Sequence, residues 1–305
     1  LFRPAPNSPN AKGCQMITRR RFFALSAAVL AAPGYAATRH DWQGVALGAE
    51  ARLTLAGATD AQARHVFARV ASELAQVEAQ FSLYRDSALT RLNRDGRLSH
   101  PSVPMLDLFA MADQVHRATG GAFDPTVQPL WLAMATGGNL TAGRAAIGWD
   151  RIRIAPDEIK LNPGMALTFN GIAQGHAADR IAALMRAEGF GNVLIDMGEV
   201  QALGAHPDGG PWRAQIAGPG GDALADLDLQ DRALATSSPL GTRIGSGAGH
   251  ILHPKGLPTR WQTVAISAPL AAVADALSTA ACLLDRLAID TALAAFPGAR
   301  LEHLS

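Results

Sequence analysis

The segment that most constrains the fold runs from Leu167 to Glu199 and joins a glycine turn, a helix and a short apolar strand. Gly171 and Gly175 open an Ala-rich amphipathic helix predicted over residues 176–188, and the strand is predicted over residues 192–197. Glycine has no Cβ and the first turn of a helix has unpaired N–H groups, so such a turn can bind an anion. The same pattern also occurs where a chain only makes a tight connection, and both interpretations stay open at this point.

The composition is that of a globular domain without a nucleic-acid partner. Of 305 residues, 48% are hydrophobic and 17% are charged, which is enough apolar surface for a sizeable core. The 27 Lys and Arg residues nearly balance the 26 Asp and Glu residues, and aromatic residues make up only 6%. Because nucleic-acid binding requires a basic surface, that class of function is set aside.

The N-terminal region has the pattern of an export signal. Arg19, Arg20 and Arg21 precede the apolar run Ala24–Ala32, and small residues follow it. Paired arginines before a short apolar stretch are typical of twin-arginine signals, which direct folded proteins to the periplasm. A membrane anchor is less favoured, because the run is far shorter than the roughly 20 residues that span a bilayer. We therefore predict that residues 1–15 are disordered, that 16–37 are a signal peptide and that 38–305 form one domain.

Hydrophobic periodicity predicts helices towards both ends of this domain, with grouped strands between them. Apolar residues recur at helical spacing over residues 61–81, with Asp60 as the predicted N-cap, and alternate loosely over 44–55, which predicts a strand or hairpin. Grouped strands favour an α+β fold with mostly antiparallel strands flanked by helices over a regular βαβ repeat. A helix is further predicted over 103–118 and strands over 212–217, 224–229 and 263–268, while 125–163 receives no assignment.

Asp275 and Thr279 form a candidate metal site near the C-terminus. They lie four residues apart in a segment with helical periodicity, so their side chains project from one face, about 5 to 6 Å apart at Cβ. A carboxylate and a hydroxyl are hard ligands for Mg²⁺, which completes its shell with water and substrate phosphates. Spacing alone favours the alternative, an Asp at a helix start followed by a Thr that bonds back to the helix backbone.

Two further loops carry residue types suited to ligand binding. The segment Thr119–Leu130 couples a double-glycine turn to Asp124 and to an extended stretch bounded by proline, which can offer backbone groups to a flat ligand. His250 and His253 flank Ile251 beside another turn, which follows the hydroxyl run at 236–238. Either histidine can also be an ordinary loop residue.

Taken together, these segments resemble the FAD:protein FMN transferases of the ApbE type. That family reads TGGAFDPTVxPL, then a DLSGIAKGxAxD-like turn, then TSG with HIxxP, then ADALxTA, and the same order is present here between about Leu47 and Leu284. The variants Asn170–Gly175 and Asp196–Glu199, together with the export signal, are most similar to the NosX branch. That branch is associated with flavinylation of the membrane regulator NosR.

The resemblance implies a periplasmic enzyme that uses Mg²⁺ and FAD. It would transfer the FMN half of FAD to a Thr or Ser hydroxyl of a NosR-like partner and release AMP. The resemblance assigns FAD contacts to Leu47, Tyr84, Ala122, Phe123, Asp124, Thr168, Gln174 and Ile251, the metal to Asp275, Thr279 and the Gly171 carbonyl, and the role of base to His250.

The chemistry of the reaction agrees with these assignments. A neutral hydroxyl attacks a pyrophosphate only when the negative phosphate oxygens are neutralised, which a cation and helix N–H groups can do while a base takes the proton. Histidine has a suitable unperturbed pKa for that base near neutral pH.

Three positions depart from the family pattern. Thr168 stands where an Asp is usual, Gln174 where a Lys is frequent and Leu47 where a Met is usual. Lower FAD affinity is therefore expected unless Arg180 or Arg243 supplies the missing charge. Two alternatives are kept for this reason: a non-catalytic FAD-binding assembly factor, and an FAD pyrophosphatase that yields FMN and AMP.

Overall fold

The computed structural model describes residues 38–305, so the predicted disordered segment 1–15 and signal peptide 16–37 lie outside the described residues. Helices alternate with strands along this range, and most of them lie before residue 190. The helices are α1 (Asp60–Phe81), α2 (Ala88–Asp95), α3 (Val103–Ala118), α4 (Gln128–Thr136), α5 (Leu140–Ala145), α6 (Ala173–Ala187), α7 (Ala271–Ala281) and α8 (Arg286–Ala294).

The strands are mostly short and lie largely in the second half of the chain. They are β1 (Arg39–Ala46), β2 (Ala49–Ala56), β3 (Arg97–Ser99), β4 (Arg153–Ile154), β5 (Glu158–Lys160), β6 (Val193–Asp196), β7 (Val200–Leu203), β8 (Trp212–Ala217), β9 (Ala223–Leu229), β10 (Arg232–Ser237), β11 (Arg243–Ile244), β12 (Ala248–Gly249), β13 (Val264–Ala268) and β14 (Arg300–Leu304).

A seven-stranded sheet in the order β1-β2-β6-β7-β10-β13-β14 forms the centre of the domain. Every neighbouring pair in it is antiparallel. The predicted α+β fold with mostly antiparallel strands is therefore confirmed. Two-stranded sheets, β8-β9 and β11-β12, and the three-stranded sheet β3-β5-β4 complete the strand pairing.

The two faces of the central sheet bury two separate apolar cores. Side chains alternate along a strand, so Ile195 faces the large core under the helices while Leu194 faces the smaller core. The smaller core is closed by the β8-β9 hairpin, whose Trp212 is 1% exposed and donates its indole N–H to the Leu203 carbonyl at 3.0 Å. On the opposite face α7 lies against β10 and β13, and α6 lies against α7.

Strand register brings several turns to one end of the central sheet, which we call the site end. Arg52 pairs with Asp196, so the tight turn Leu47–Gly48 that joins β1 to β2 lies beyond the last residue of β6. Val200 at the start of β7 pairs with Leu234, so β10 continues past it towards the same end. The site end therefore collects the β1-β2 turn, the β6-β7 turn at 197–199, and the long connection at 238–263 that links β10 to β13.

The helices predicted from periodicity agree with the structure, and one predicted cap does not. The helices predicted over 61–81 and 103–118 are present as α1 and α3, and α6 begins three residues before the predicted 176. The prediction of Asp60 as the cap of α1 is wrong. Thr59 is the N-cap, because its extended backbone lets the hydroxyl accept the Gln62 N–H while the Gln62 side chain accepts the Thr59 N–H.

Of the helices between residues 38 and 305, α1 is the longest at 22 residues, and it contains several charged side chains. None of the helices in this range has the length and apolar character that crossing a bilayer requires.

Candidate active site

The glycine turn leads into α6 and lies directly against α7. At Gly171 a Cβ would lie 3.1 Å from the Thr279 hydroxyl oxygen, so only glycine leaves this approach uncrowded. At Gly175 a Cβ would overlap the backbone of Ala271, the first residue of α7. The turn is thus more than a connection, since its glycines allow two helices to meet at their N-terminal turns.

Asp275 lies in the second turn of α7 and points away from its own helix start. Its Oδ2 accepts the N–H of Gly175 on α6 at 3.1 Å, and the residue is 3% exposed. Burial raises the pKa of Asp275 to about 7. The hydrogen bond from the Gly175 N–H lowers this pKa in part, and the negative charge of Asp179 raises it further. The alternative of an Asp capping its own helix start is therefore wrong.

Thr279 follows one turn after Asp275 and meets the end of β10. Its hydroxyl lies 3.4 Å from the Ser237 hydroxyl, which also bonds the Ser278 hydroxyl at 2.8 Å. It is Ser278, and not Thr279, whose hydroxyl bonds back to the Asp275 carbonyl, at 3.0 Å. The Thr279 hydroxyl oxygen therefore lies on the side of the helix that faces Gly171.

At the contact between the glycine turn and α7, these residues leave three oxygens with lone pairs available to a ligand. Within residues 38–305 no backbone N–H donates to the Gly171 carbonyl, because the Gly175 N–H that would do so in a regular turn donates to Asp275. In the same range no donor reaches Asp275 Oδ1. Together with the Thr279 hydroxyl they form a hard oxygen set that fits Mg²⁺, an ion that takes few protein ligands. Among residues 38–305, no three or more His, Cys, Asp or Glu side chains are grouped so that they could hold a metal ion.

A second carboxylate, the half-buried Glu199, lies close enough to Asp275 and Asp196 to feel their charges, and it was not among the predicted site residues. Burial raises the pKa of Glu199 well above its usual range, with the charges of Asp275 and Asp196 adding to the rise and the Thr236 N–H opposing it. Burial also raises the pKa of Asp196 to about 6. An acidic pair directly after an apolar strand is the sequence signal that would have found this cluster.

Gln174 closes the cluster from α6. Its amide nitrogen lies 2.6 Å from where a Cβ on Gly198 would be, so Gln174 covers the turn that carries Glu199. Gly198 has a φ of 97°, a left-handed conformation that favours glycine. Gln174 therefore brings a neutral amide to a position where the family frequently has a cation.

His250 lies on the long connection at the site end, directly after β12. Its Nδ1 is 3.0 Å from the Pro239 carbonyl and 3.3 Å from the Thr242 carbonyl. Carbonyl oxygens only accept, so Nδ1 carries the proton and Nε2 keeps a free lone pair. Burial lowers the pKa of His250 below its usual value, partly offset by the two carbonyls. The ring is thus neutral at pH 7 and suited to act as a base.

The predicted FAD-contact positions Leu47 and Tyr84 belong to one surface with the glycine turn. The Tyr84 ring lies against Gly48, next to Leu47, whose N–H donates to Glu78 at 3.1 Å. Tyr84 also hydrogen-bonds Asn170, and burial raises the pKa of Tyr84 against the effect of that bond. This surface runs from the β1-β2 turn to the start of α6.

The loop Ala122–Asp124 is fixed by its own hydrogen bonds and joins the glycine turn at Thr168. Asp124 accepts the Thr126 N–H at 2.8 Å, and the Thr168 N–H donates to the Pro125 carbonyl at 2.9 Å. Ala122 and Phe123 are buried, with 6% and 5% exposure. Ile251 does not belong to this loop. It follows His250 on the long connection at the site end and is half-buried against the large core.

Of the two arginines considered as substitutes for the missing positive charge, one is already paired. The Arg180 guanidinium forms an ion pair with Glu73 on α1. Arg243 is exposed and lies opposite Gly249 in the β11-β12 pair, next to His250. Arg243 is therefore the cation better placed for an anionic ligand at the site end.

Comparison with known proteins identifies the class. Residues 47–299 match the ApbE family, which is most of the chain, and the chain belongs to this family. It is 27% identical over 283 residues to the FAD:protein FMN transferase of Klebsiella pneumoniae (strain 342), covering 83% of this chain and 80% of that protein. It is 26% identical over 266 residues to the FAD:protein FMN transferase of Salmonella typhimurium, covering 78% and 76% of the two chains.

Solved structures share the fold. The apo form of Pseudomonas stutzeri flavinyl transferase ApbE superposes with a TM-score of 0.72 at 26% identity, over 85% of this chain and 87% of that one. The apbe protein of Thermotoga maritima gives a TM-score of 0.76 at 24% identity, over 87% and 93% of the two chains. Family membership predicted from the motifs is thus confirmed.

Proposed function

We propose that this protein transfers FMN from FAD to a Thr or Ser hydroxyl of a partner protein, with Mg²⁺ as the required cation. The acceptor oxygen attacks the phosphorus of the FMN half, the bond to the bridging oxygen of the pyrophosphate breaks, and AMP leaves as a phosphoester forms. Family membership and the activity of the curated relatives support the reaction class. The metal dependence is supported by the contact of the glycine turn with α7, which holds Asp275 through the Gly175 N–H and brings Thr279 close to Gly171.

One residue removes the proton of the acceptor hydroxyl, and a separate group of residues serves to neutralise the charge of the phosphates. His250 accepts the proton of the attacking hydroxyl at Nε2, because its Nδ1 is committed to the Pro239 and Thr242 carbonyls. Asp275, Thr279 and the Gly171 carbonyl would hold Mg²⁺, and the ion would neutralise charge on the phosphate oxygens. Positioning of the two reacting groups then supplies much of the rate enhancement.

FAD binds, in this proposal, along the surface from the β1-β2 turn to α6. Leu47 and Tyr84 contact the flavin half, the loop Ala122–Asp124 offers backbone groups, and Thr168, Gln174 and Ile251 complete the contacts. Thr168 and Gln174 are uncharged, so affinity depends more on the cation and on Arg243. The same two residues favour the second candidate, a protein that binds FAD without chemistry.

We further propose that the reaction takes place in the periplasm, on a NosR-like membrane flavoprotein. The support is the twin-arginine pattern within residues 16–37 and the similarity of Asn170–Gly175 and Asp196–Glu199 to the NosX branch.

The test is incubation of the protein with FAD, Mg²⁺ and a hydroxyl-bearing segment of the partner, followed by mass analysis of peptide and nucleotides. We expect FMN to be attached to the peptide, and an equal amount of free AMP to be released. Asp275→Ala should abolish the transfer, while Asp228→Ala, which removes an exposed carboxylate from β9, should leave it unchanged. Release of FMN and AMP with an unmodified peptide would instead indicate a pyrophosphatase, and intact FAD would indicate a binding protein.

A further inference from the structure

Helices α6 and α7 hold each other through their N-terminal turns. Gly175 of α6 donates its N–H to Asp275 of α7. In the reverse direction, Ala271 and Ala272 donate their N–H groups to the two carboxylate oxygens of Asp179 on α6, at 2.8 and 2.9 Å. Each helix therefore supplies the acceptor for free N–H groups at the start of the other.

Asp179 replaces a cap that α7 lacks in its own sequence. The N-cap residue of α7 is Leu270, whose side chain cannot accept a hydrogen bond. The first N–H groups of a helix have no partner within the helix and need one from outside. A carboxylate that binds two successive N–H groups fixes both the axial position and the rotation of the helix, whereas a single bond leaves rotation free.

The axial position of α7 matters because both side-chain candidates for the metal lie on it. Asp275 and Thr279 follow the capped residue Ala271 by about one and two helical turns. Gly171, on the segment before α6, lies so close to Thr279 that a Cβ on it would be 3.1 Å from the Thr279 hydroxyl oxygen. A slide or rotation of α7 against α6 would therefore separate the Gly171 carbonyl from the Asp275 and Thr279 oxygens.

We propose that Asp179 is a positioning residue for the metal site: by binding the first two N–H groups of α7, it holds Asp275 and Thr279 against the Gly171 turn. The inference rests on the proposed Mg²⁺-dependent function. Asp179 touches neither metal nor substrate in this proposal, and its role is to hold α7 in position.

The experiment measures Mn²⁺ affinity by electron paramagnetic resonance, in the presence of FAD, for the full chain and three variants. Asp179→Ala removes both acceptors. Asp179→Glu keeps the charge but displaces the carboxylate by one methylene, which separates positioning from simple electrostatic attraction of the cation. Asp285→Ala is the matched control, since it removes the cap of α8, where Asp285 accepts the Ala288 N–H at 2.9 Å, without touching α7.

We expect Asp179→Ala and Asp179→Glu each to weaken Mn²⁺ binding about 10- to 100-fold, as loss of a residue behind a metal ligand commonly does. Asp285→Ala should bind Mn²⁺ as the unmodified protein does. In the transfer assay the two Asp179 variants should show a raised KM for Mg²⁺, with kcat largely recovered at saturating Mg²⁺. A catalytic or purely structural role would not give this separation.

Unchanged Mn²⁺ affinity in Asp179→Glu, or an equal loss in Asp285→Ala, would overturn the role of Asp179. If Asp179→Ala does not fold, Asp179→Glu alone decides. Failure of the unmodified protein to bind Mn²⁺ with FAD present would instead overturn the proposed function itself.

Discussion

At the residue scale, His250 gives the site its expected pH dependence. Burial lowers the pKa of His250 below 6.5, so the neutral base is present at neutral pH and is lost only as pH falls through the lowered pKa. We predict a transfer rate that is flat near pH 7 and falls on the acid side. His250→Gln should lower the rate by about 10²- to 10⁴-fold while FAD still binds. The pH dependence of the rate is measured by flavin fluorescence of the acceptor peptide. If the rate of His250→Gln still falls on the acid side, a group other than His250 causes that fall.

The effect of Gln174 on FAD binding can also be tested by substitution. Its amide covers the Gly198 turn beside the half-buried carboxylate of Glu199, where a lysine would bring a positive charge. We predict that Gln174→Lys binds FAD more tightly, by about 1 kcal/mol or roughly 5-fold, because a cation next to the pyrophosphate adds a charged hydrogen bond. Quenching of flavin fluorescence measures the affinity, with Gln174→Met as the uncharged control. Weaker binding in Gln174→Lys would mean that the lysine pairs with Glu199 and not with FAD.

At the element scale, the contact between α6 and α7 depends on a missing side chain. A Cβ at Gly175 would overlap the backbone of Ala271, which cannot move without shifting α7. We predict that Gly175→Ala lowers the free energy of unfolding by about 2 to 3 kcal/mol, an overpacking effect, although alanine favours helix at an exposed position. Gly191→Ala is the control, since nothing lies within 4 Å of a Cβ there. Urea unfolding compares the two, and equal midpoints would show that α7 can move aside.

The same contact shows what the sequence can and cannot predict. Helices α1 and α3 were predictable because their apolar residues repeat at helical spacing, and β8, β9 and β13 because they lie between clear turns. Strand β10 was not predicted, because its sequence is mainly small or polar residues and has few of the β-branched or aromatic side chains typical of strands. The i,i+4 spacing of Asp275 and Thr279 was visible, but the Gly175 N–H that orients Asp275 lies 100 residues away. Only tertiary packing makes that bond, so no local pattern signals it.

At the scale of the whole molecule, the half-buried His176 sets part of the response of stability to acid. His176 packs edge-on against Phe81, with ring centroids 5.5 Å apart. Burial, together with the positive charge of Arg180, lowers the pKa of His176 to about 4. The unfolded chain then binds the proton more readily, so the folded state loses stability as pH falls from about 6.5 towards 4.

We predict that His176→Gln removes this loss. Relative to the variant, the unmodified protein should lose on the order of 1 to 3 kcal/mol of unfolding free energy between pH 7 and about pH 4. Asp179 and Asp196, whose pKa is raised to about 6, act in the opposite direction, because they favour the folded state as they take up protons. Urea unfolding across this pH range gives the difference. A constant difference between the two proteins would show that His176 keeps a normal pKa.

The central claim is that a divalent cation sits between the N-terminal turns of α6 and α7, against the diphosphate of FAD. Diffraction from crystals grown with FAD and Mn²⁺, recorded at the manganese absorption edge, locates the ion directly. The account predicts one anomalous peak within about 2.5 Å of Asp275 Oδ1, the Thr279 hydroxyl and the Gly171 carbonyl. FAD bound with no peak at these oxygens, or with the ion held elsewhere, would contradict it.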